Sequence, residues 1–478
     1  MKSGTSPGPD GIGVDFYDSC LYLFVPILTV IFNRIFDTGC YPESWSKALI
    51  APLHKKGPIN ECTNYRGISL LDTIGKIYSS VLNNRLQTWC TFENKYYEEQ
   101  AGYRKGYSTI DQIFTLQGLI QKYLSKTKGR LYVLYVDFSR AFDSLNRLKL
   151  MSLLLELGVS GKMYLTLKNM YSSVKSWIKT GSNLTFYFDC LSGVRQGCIL
   201  SPLLFCLYTN RLIDYMNCGD VRGIFTNQEA KDILMLLYAD DLGIPSDTVG
   251  DLQKKINILH TFCTDFNLTV NTSKTKVVVF RNGGVIRKYE RFYYNNNTIE
   301  CVSYYNYLCV LFSSRLVWSK AVYSLSVKAK KSLLPIQALL RKTRSIPYTL
   351  SFKIFDAIVK QVLLYGAEIW GFEYRKDIEN VQSQFCKFVL QIHKSSSSVA
   401  AKGECGRYDI SVYYMLACIK YWLKLTVMSN QRYPKQVYMM LRKLDSAGRV
   451  TWATRIRLLL SSIGFAYVWL MDEVGDHK

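Results

Sequence analysis

The sequence predicts an α+β fold, a strand-and-helix domain of roughly 150 residues with a longer helical region after it. Continuous apolar runs of strand length, Leu131 to Phe138 and Ile233 to Tyr238, are bounded by turn residues and suit buried strands. Stretches with helical periodicity, Ile110 to Tyr123, Ser201 to Met216 and Leu252 to Phe266, are interleaved with them. From about Tyr304 onward the pattern is mostly helical.

The elements follow in order. Ser3 to Gly13 is a Gly and Pro loop that cannot be helix interior. The apolar run Cys20 to Phe32 is shorter than the ~20 residues a bilayer requires and is interrupted by Pro26. Asp10, Asp15 and Asp18 precede it in place of a basic segment, so it reads as a buried helix, with neither a signal peptide nor a membrane partner. After a loop at Tyr41 and Pro42, a strand is expected over Ala48 to Lys56 and helices over Ile68 to Asn84 and Ile110 to Tyr123, the latter capped by Ser108 or Thr109. Beyond the Leu131 to Phe138 strand come a helix over Asn146 to Leu157, an alternating strand over Leu184 to Phe188, and a strand over Val277 to Phe280. The four serines Ser395 to Ser398 read as a linker.

Sixty Lys and Arg against 37 Asp and Glu leave a net charge of +23, which implies a polyanionic partner. The 35 Tyr, 23 Phe and 8 Trp suit base stacking, although a basic, Tyr-rich core explains the composition equally well. Fourteen Cys contain no CxxC pair and only four His accompany them, so neither a zinc site nor a secreted disulfide framework can be assembled. A reduced, intracellular compartment is expected. Between Cys301 and Phe355 lie nine Lys and Arg and no acid, a helical surface suited to a polyanion.

Asp240 and Asp241 end the apolar run ILMLLYADD, and Asp137 ends the Leu131 to Phe138 run. If both strands share a sheet, three carboxylates converge at its edge, where their repulsion calls for a hard cation such as Mg²⁺. Taken alone, the Asp240–Asp241 pair could equally be a polar hairpin turn.

These residues belong to a longer series. TSPGPDGI, ALIAPLHKKG, NYRGISLLDTIGKIY, EEQAGYRKGYSTIDQI, VDFSRAFDSLNR, SGVRQGCILSPLLFCLYTNRL, YADD, NLTVNTSKTKVVVF, YYNYLCVLF and VLLYGAEIWG follow one another in that order. The series resembles the reverse transcriptases of LINE-type non-LTR retrotransposons. The resemblance implies a right-hand polymerase with fingers, a ferredoxin-like palm and a helical thumb. It divides the chain into an N-terminal extension and fingers over 1–128, a palm over 129–300, a primer-grip motif and thumb over 301–394, and a truncated helical segment over 399–478. It implies an RNA-directed DNA polymerase using an RNA template, a DNA primer, the RNA/DNA hybrid and dNTPs. Two Mg²⁺ ions, with Mn²⁺ as a substitute, would be held by Asp137, Asp240 and Asp241.

The resemblance also suggests roles for other residues. Lys274 corresponds to a general acid, although Lys276 competes for the assignment. Phe142 resembles the steric gate against a 2′-hydroxyl, with a core aromatic as the plain alternative. Gln196, Gly197, Lys55, Lys56 and Arg66 would meet the nucleotide. Arg104 and Lys105 would follow the template, as would the Pro7 to Gly11 loop, and Lys328, Lys330, Lys331, Arg341, Lys342 and Arg344 would grip the duplex. Cys309 stands where the family usually has Gly. The chain begins inside a family motif, with no endonuclease segment ahead of it, and so reads as part of a longer polyprotein, whose site of action is the nucleus if the element is active. A decayed or co-opted RNA-binding remnant, like a maturase, is the alternative from another functional class.

Overall fold

The computed structural model describes residues 3–181, 183–226, 232–343, 346–373 and 375–471. They form two compact units, each discontinuous in sequence: one holds Met1–Lys105, Val136–Val221 and Lys255–Lys274, the other Gly106–Tyr135, Arg222–Lys254 and Thr275–Lys478. The α+β class is as expected.

In the first unit, the strand Lys47–His54 pairs antiparallel with Tyr65–Leu70 and parallel with Lys175–Thr180. This corrects the helix expected over Ile68 to Asn84, because Ile68, Ser69 and Leu70 are extended and lie in register with Ala51, Ile50 and Leu49 of the partner strand. The helix starts only at Thr73 and runs to Phe92. The expected strand over Leu184 to Phe188 shrinks to two exposed pairs, Asn183–Leu184 and Phe188–Asp189, both on Lys175–Thr180. Lys179 faces Leu184 whereas Ser176 faces Phe188, so one extra residue bulges between them.

The helix expected over Cys20 to Phe32 is present as Leu21–Thr38, but it is not buried: Ile35 alone is fully covered. Phe24, Leu28, Phe32 and Phe36 turn inward at helical spacing, with Phe32 against Trp45 and Tyr78, while Tyr22, Val25, Ile27 and Val30 lie exposed. Pro26 sits inside the helix without ending it. By length and composition alone this helix could cross a membrane, a test that soluble core helices also pass.

In the second unit, a four-stranded sheet runs in the order Leu236–Tyr238, Asp241–Ser246, Arg130–Val136, Lys276–Arg281. The Arg130–Val136 strand is buried at every residue but Arg130 and pairs antiparallel with Lys276–Arg281. Behind the sheet lies the helix Thr109–Leu124, closed by a capping box in which Ser108 Oγ accepts from Asp111 N and Asp111 Oδ2 accepts from Ser108 N. Ser108, not Thr109, is therefore the cap. Asp111 is 2% exposed and carries three more partners, all remote in sequence: Tyr421 Oη at 3.1 Å, Lys424 Nζ at 2.9 Å and Arg432 Nη2 at 3.2 Å. These bolt the helices Ile410–Thr426 and Tyr433–Ser446 onto the helix behind the sheet. Ser397, within the expected serine linker, instead caps the helix Ser398–Glu404.

The segment after Cys301 opens with a hairpin, Tyr304–Tyr307 paired with Val310–Ser313, before the basic helix Ser319–Lys342. Its two-residue turn holds Leu308 at φ +46° and Cys309 at φ +66°. Both are left-handed, the conformation for which Asn-Gly is favoured. The turn keeps its geometry without glycine, and Tyr365 Oη donates to Leu308 O at 2.8 Å to hold it. Such a residue costs roughly 1–2 kcal/mol in strain. Cys309→Gly is expected to raise the unfolding free energy by about 1 kcal/mol in a urea titration.

Candidate active site

Asp137 immediately follows the central strand, and its surroundings within its own unit are well defined. Its carbonyl accepts from Asn271 N at 2.8 Å, Phe138 bridges Val270, and Ser139 N donates to Thr269 O at 2.8 Å. The same Asn271 accepts from Lys274 N, and Lys274 Nζ lies 3.5 Å from Asp137 Oδ2. Lys276 is paired elsewhere, with Glu300 at 2.7 Å. Of the two lysines that competed in the sequence, Lys274 is therefore the one beside the carboxylate.

Asp240 and Asp241 lie in the other unit, at the tip of the hairpin that pairs Tyr238 with Asp241. The turn between these two residues is Ala239–Asp240, with Ala239 at φ +58°, and both carboxylates are exposed. The strand that begins at Asp241 neighbours the strand that leads into Asp137. Behind the turn, burial pushes the Tyr307 hydroxyl well above its ordinary pKa, and the charge of Asp241 adds to the shift. Each of the three acids offers carboxylate oxygens, the ligand type a hard divalent cation takes. Among the described residues no three His, Cys, Asp or Glu side chains form a group able to hold an ion unaided. Mg²⁺ needs no such cage, since it takes one or two carboxylates and completes its shell with water and phosphates.

A cavity of about 110 Å³ in the first unit is lined by Arg66, Tyr103, Phe142, Arg195, Gln196 and Gly197, among others. Gln196 is its hub: Oε1 accepts from Arg66 Nε at 3.0 Å, Nε2 donates to Asp143 Oδ1 at 3.1 Å, and the backbone carbonyl accepts from Ser69 N at 2.7 Å. Desolvation holds the Asp143 carboxyl above the usual range, outweighing the Gln196 hydrogen bond and the cations Arg140, Arg66 and Lys55. Phe142 is buried and stacked on Phe205, 4.3 Å between centroids, while it also lines this cavity. It is thus both a core aromatic and a wall of the pocket. Gly197 has φ +126°, and a Cβ there would stand 2.4 Å from Ser69 O.

Asp143 and Arg195 were not singled out in the sequence. Asp143 had a signal, since it lies one residue past Phe142 in the same motif. Arg195, 5% exposed and donating to Trp45 O at 2.9 Å, had none, because nothing local marks a guanidinium for burial.

The remaining cations are more dispersed. Lys55 and Lys56 are exposed at the end of the Lys47–His54 strand, with Lys55 N bonded to Asn64 O. Arg104 Nη1 donates to Tyr97 O and Gln100 O, and its guanidinium lies over Tyr96, so it secures a loop; Lys105 is exposed. Lys328, Lys330, Lys331, Arg341 and Lys342 all point outward from Ser319–Lys342. Arg344 lies outside the described residues. The Pro7 to Gly11 loop packs on the start of the Thr73–Phe92 helix, where Asp10 N donates to Asp72 Oδ1 and a Cβ on Gly8 would strike Leu71.

The family profile described as reverse transcriptase (RNA-dependent DNA polymerase) matches residues 53–332, more than half of the chain. The chain belongs to the reverse transcriptase family. The chain is 23% identical over 385 residues to a probable RNA-directed DNA polymerase from transposon BS of Drosophila melanogaster, covering 79% of this chain and 41% of that protein. It is 22% identical over 399 residues to the RNA-directed DNA polymerase from the mobile element jockey of the same organism, covering 80% and 42%. The chain thus spans about two fifths of the length of these relatives. Among solved structures, telomerase from Candida albicans with a fragment of telomeric RNA aligns at 13% identity with a TM-score of 0.42, covering 95% of this chain and 69% of that one. The LINE-type resemblance read from the motifs agrees with these relatives.

The Gln196–Gly197 corner depends on the absence of a side chain. Gly197→Ala is expected to cost about 1–3 kcal/mol of stability. Gly11→Ala, also at positive φ but with open space around it, should cost less. Thermal melts of the two variants measure the difference.

Proposed function

We propose that this chain is the polymerase portion of a non-LTR retrotransposon protein, extending a primer 3′-hydroxyl with dNTPs on an RNA template. The observation that carries the reading is the sheet order, in which the strand leading into Asp137 neighbours the strand that starts at Asp241. Family membership supports it. In this reading residues 1–128 are N-terminal extension and fingers, 129–300 the palm, 301–394 the primer grip and thumb, and 399–478 a further helical segment.

Asp137 and Asp240 would hold two Mg²⁺ or Mn²⁺ ions, with Asp241 adding negative potential. When bound, such ions would acidify the attacking hydroxyl, making it the better nucleophile, and offset the charge of the triphosphate. Lys274, beside Asp137, donates a proton to the departing pyrophosphate oxygen. Gln196 and Gly197 hold the incoming nucleotide by an amide and a closely approaching backbone, and Arg66, Lys55 and Lys56 balance its phosphates. Phe142 presents a flat wall under the sugar. Lys105 and the Pro7 to Gly11 loop accompany the template, and the cations of Ser319–Lys342, with Arg344, meet the RNA/DNA hybrid. The working compartment is the nucleus.

Primer extension on RNA with Mg²⁺ tests the metal assignment. Asp137→Asn and Asp240→Asn are expected to reduce dNTP incorporation to background while leaving affinity for primed RNA within about twofold, for these carboxylates are not needed to hold the backbone phosphates. Incorporation at parental rates by either variant would remove that carboxylate from the mechanism. A parent chain that binds primed RNA and extends none would instead be an RNA-binding remnant. Phe142→Ala is expected to shift the dNTP-to-NTP preference toward ribonucleotides by about tenfold or more; an unchanged preference leaves Phe142 a core residue only.

A further inference from the structure

The largest cavity among those described lies far along the chain from every catalytic motif, and its chemistry is consistent. It is a cleft of about 1380 Å³ in the second unit, walled on one side by the helix Ser319–Lys342 and on the other by Lys376–Val389. Small-molecule sites usually occupy ~300–1,000 Å³, so the space suits a polymer segment better than a single nucleoside.

The helix Lys376–Val389 explains how the cleft arises. Ile378, Val381, Phe385 and Cys386 are buried in the core. Asn380, Ser383, Gln384 and Lys387, at i, i+3, i+4 and i+7, form a second stripe that lines the cleft. The facing helix contributes Gln337, Leu340 and Arg341 at the same kind of spacing. Among the described residues, the cations Arg341, Lys387 and Lys394 line the space and no Asp or Glu does. Lys387 Nζ donates to Lys394 O at 2.9 Å, which ties the chain beyond the helix into the cleft wall, and Gln391 at φ +56° makes the turn there. The Arg341 guanidinium stands 5.4 Å from the Phe388 ring centroid, a planar surface with a cation over it.

The cationic, carboxamide and aromatic parts of the lining, set among the apolar Leu340, Ile346, Val389 and Ile392, have counterparts in one ligand class. Cations without competing acids suit phosphates. Carboxamides can donate and accept at base edges, and a ring with a guanidinium offers a stacking surface. The base edges must be unpaired to enter a recess of this kind, since the minor groove of an A-form duplex is wide and shallow. We infer that the cleft between Ser319–Lys342 and Lys376–Val389 binds single-stranded RNA, as a second nucleic-acid site apart from the polymerase centre. This rests on the reading that the chain works on RNA, and it concerns residues of the thumb region to which that reading gives no individual role, Arg341 excepted.

The test is anisotropy with the full chain, a short labelled oligouridine and an RNA/DNA hybrid of equal length, across a salt series. Lys387→Gln with Lys394→Gln is expected to weaken oligouridine binding about tenfold and to flatten the slope of log K against log salt by ~1.4, at ~0.7 per phosphate contact. Affinity for the hybrid and primer extension should both stay at parental levels. Asn380→Ala with Gln384→Ala is expected to weaken oligouridine binding with the salt slope unchanged. A charge variant that melts like the parent and binds oligouridine equally well overturns the inference. So does loss of hybrid affinity as large as the loss for oligouridine, or displacement of the RNA by polyglutamate as readily as by unlabelled RNA. Failure of primer extension in the parent, with the oligouridine effects intact, would overturn the polymerase reading and leave this one standing.

Discussion

The candidate active site depends on the burial of one strand. Arg130–Val136 is covered on both faces, with ladder partners on both sides, so its register is fixed by volume as well as by hydrogen bonds. Tyr135 stacks on Tyr305 at 4.2 Å, and Tyr132 Oη donates to Glu290, so neither ring has room to exchange faces. A slip by one residue would carry Tyr rings into the places of Val and Leu. Asp137 lies directly beyond the last residue of this strand. Its position is therefore set by packing around residues with no chemistry of their own.

The surplus of positive charge has two uses that composition cannot separate. Arg147 donates to four carbonyls, those of Gly193, Tyr171, Cys190 and Ser192, and Arg104 to two more. These guanidiniums close loops by satisfying backbone acceptors that would otherwise be left without donors. The cations of Ser319–Lys342 differ in pointing outward, where a polyanion can reach them. A net charge of +23 thus overstates the surface available to phosphate.

The parts of the fold that could be read from the residues are those where periodicity and burial coincide. The central strand and the helix Thr109–Leu124 are examples, because a continuous apolar run and a sustained helical period have few alternatives, whereas the choice of Ser108 over Thr109 as the cap needed the coordinates. Tyr65–Leu70 was misread because Ile68 to Leu71 is apolar enough to begin a helix, and only the partner strand Lys47–His54 decides otherwise. Leu21–Thr38 was misread as buried because an apolar run carries no record of whether anything covers it. At the site, the acids, Phe142 and Gln196 were identifiable from motif order. The choice of Lys274 over Lys276 needed the coordinates, since the two lysines are two residues apart and differ only in what each can reach. The conformation of Cys309 was equally out of reach, because strain at a turn leaves no mark on composition.

The bonding of Asp111 bears on how the protein is made. Its carboxylate belongs to the helix behind the sheet, yet Lys424, one of its two cationic partners, comes 313 residues later. A ribosome adding ~5–20 residues per second needs roughly 15–60 s to supply that partner, and in the meantime the helix cannot seat its charge in a dry interior without a large cost. The helix must therefore stay near water until the distal helices emerge. Chains cut short before that point would carry a lasting defect at the back of the sheet, a mark by which quality control can tell unfinished copies from finished ones.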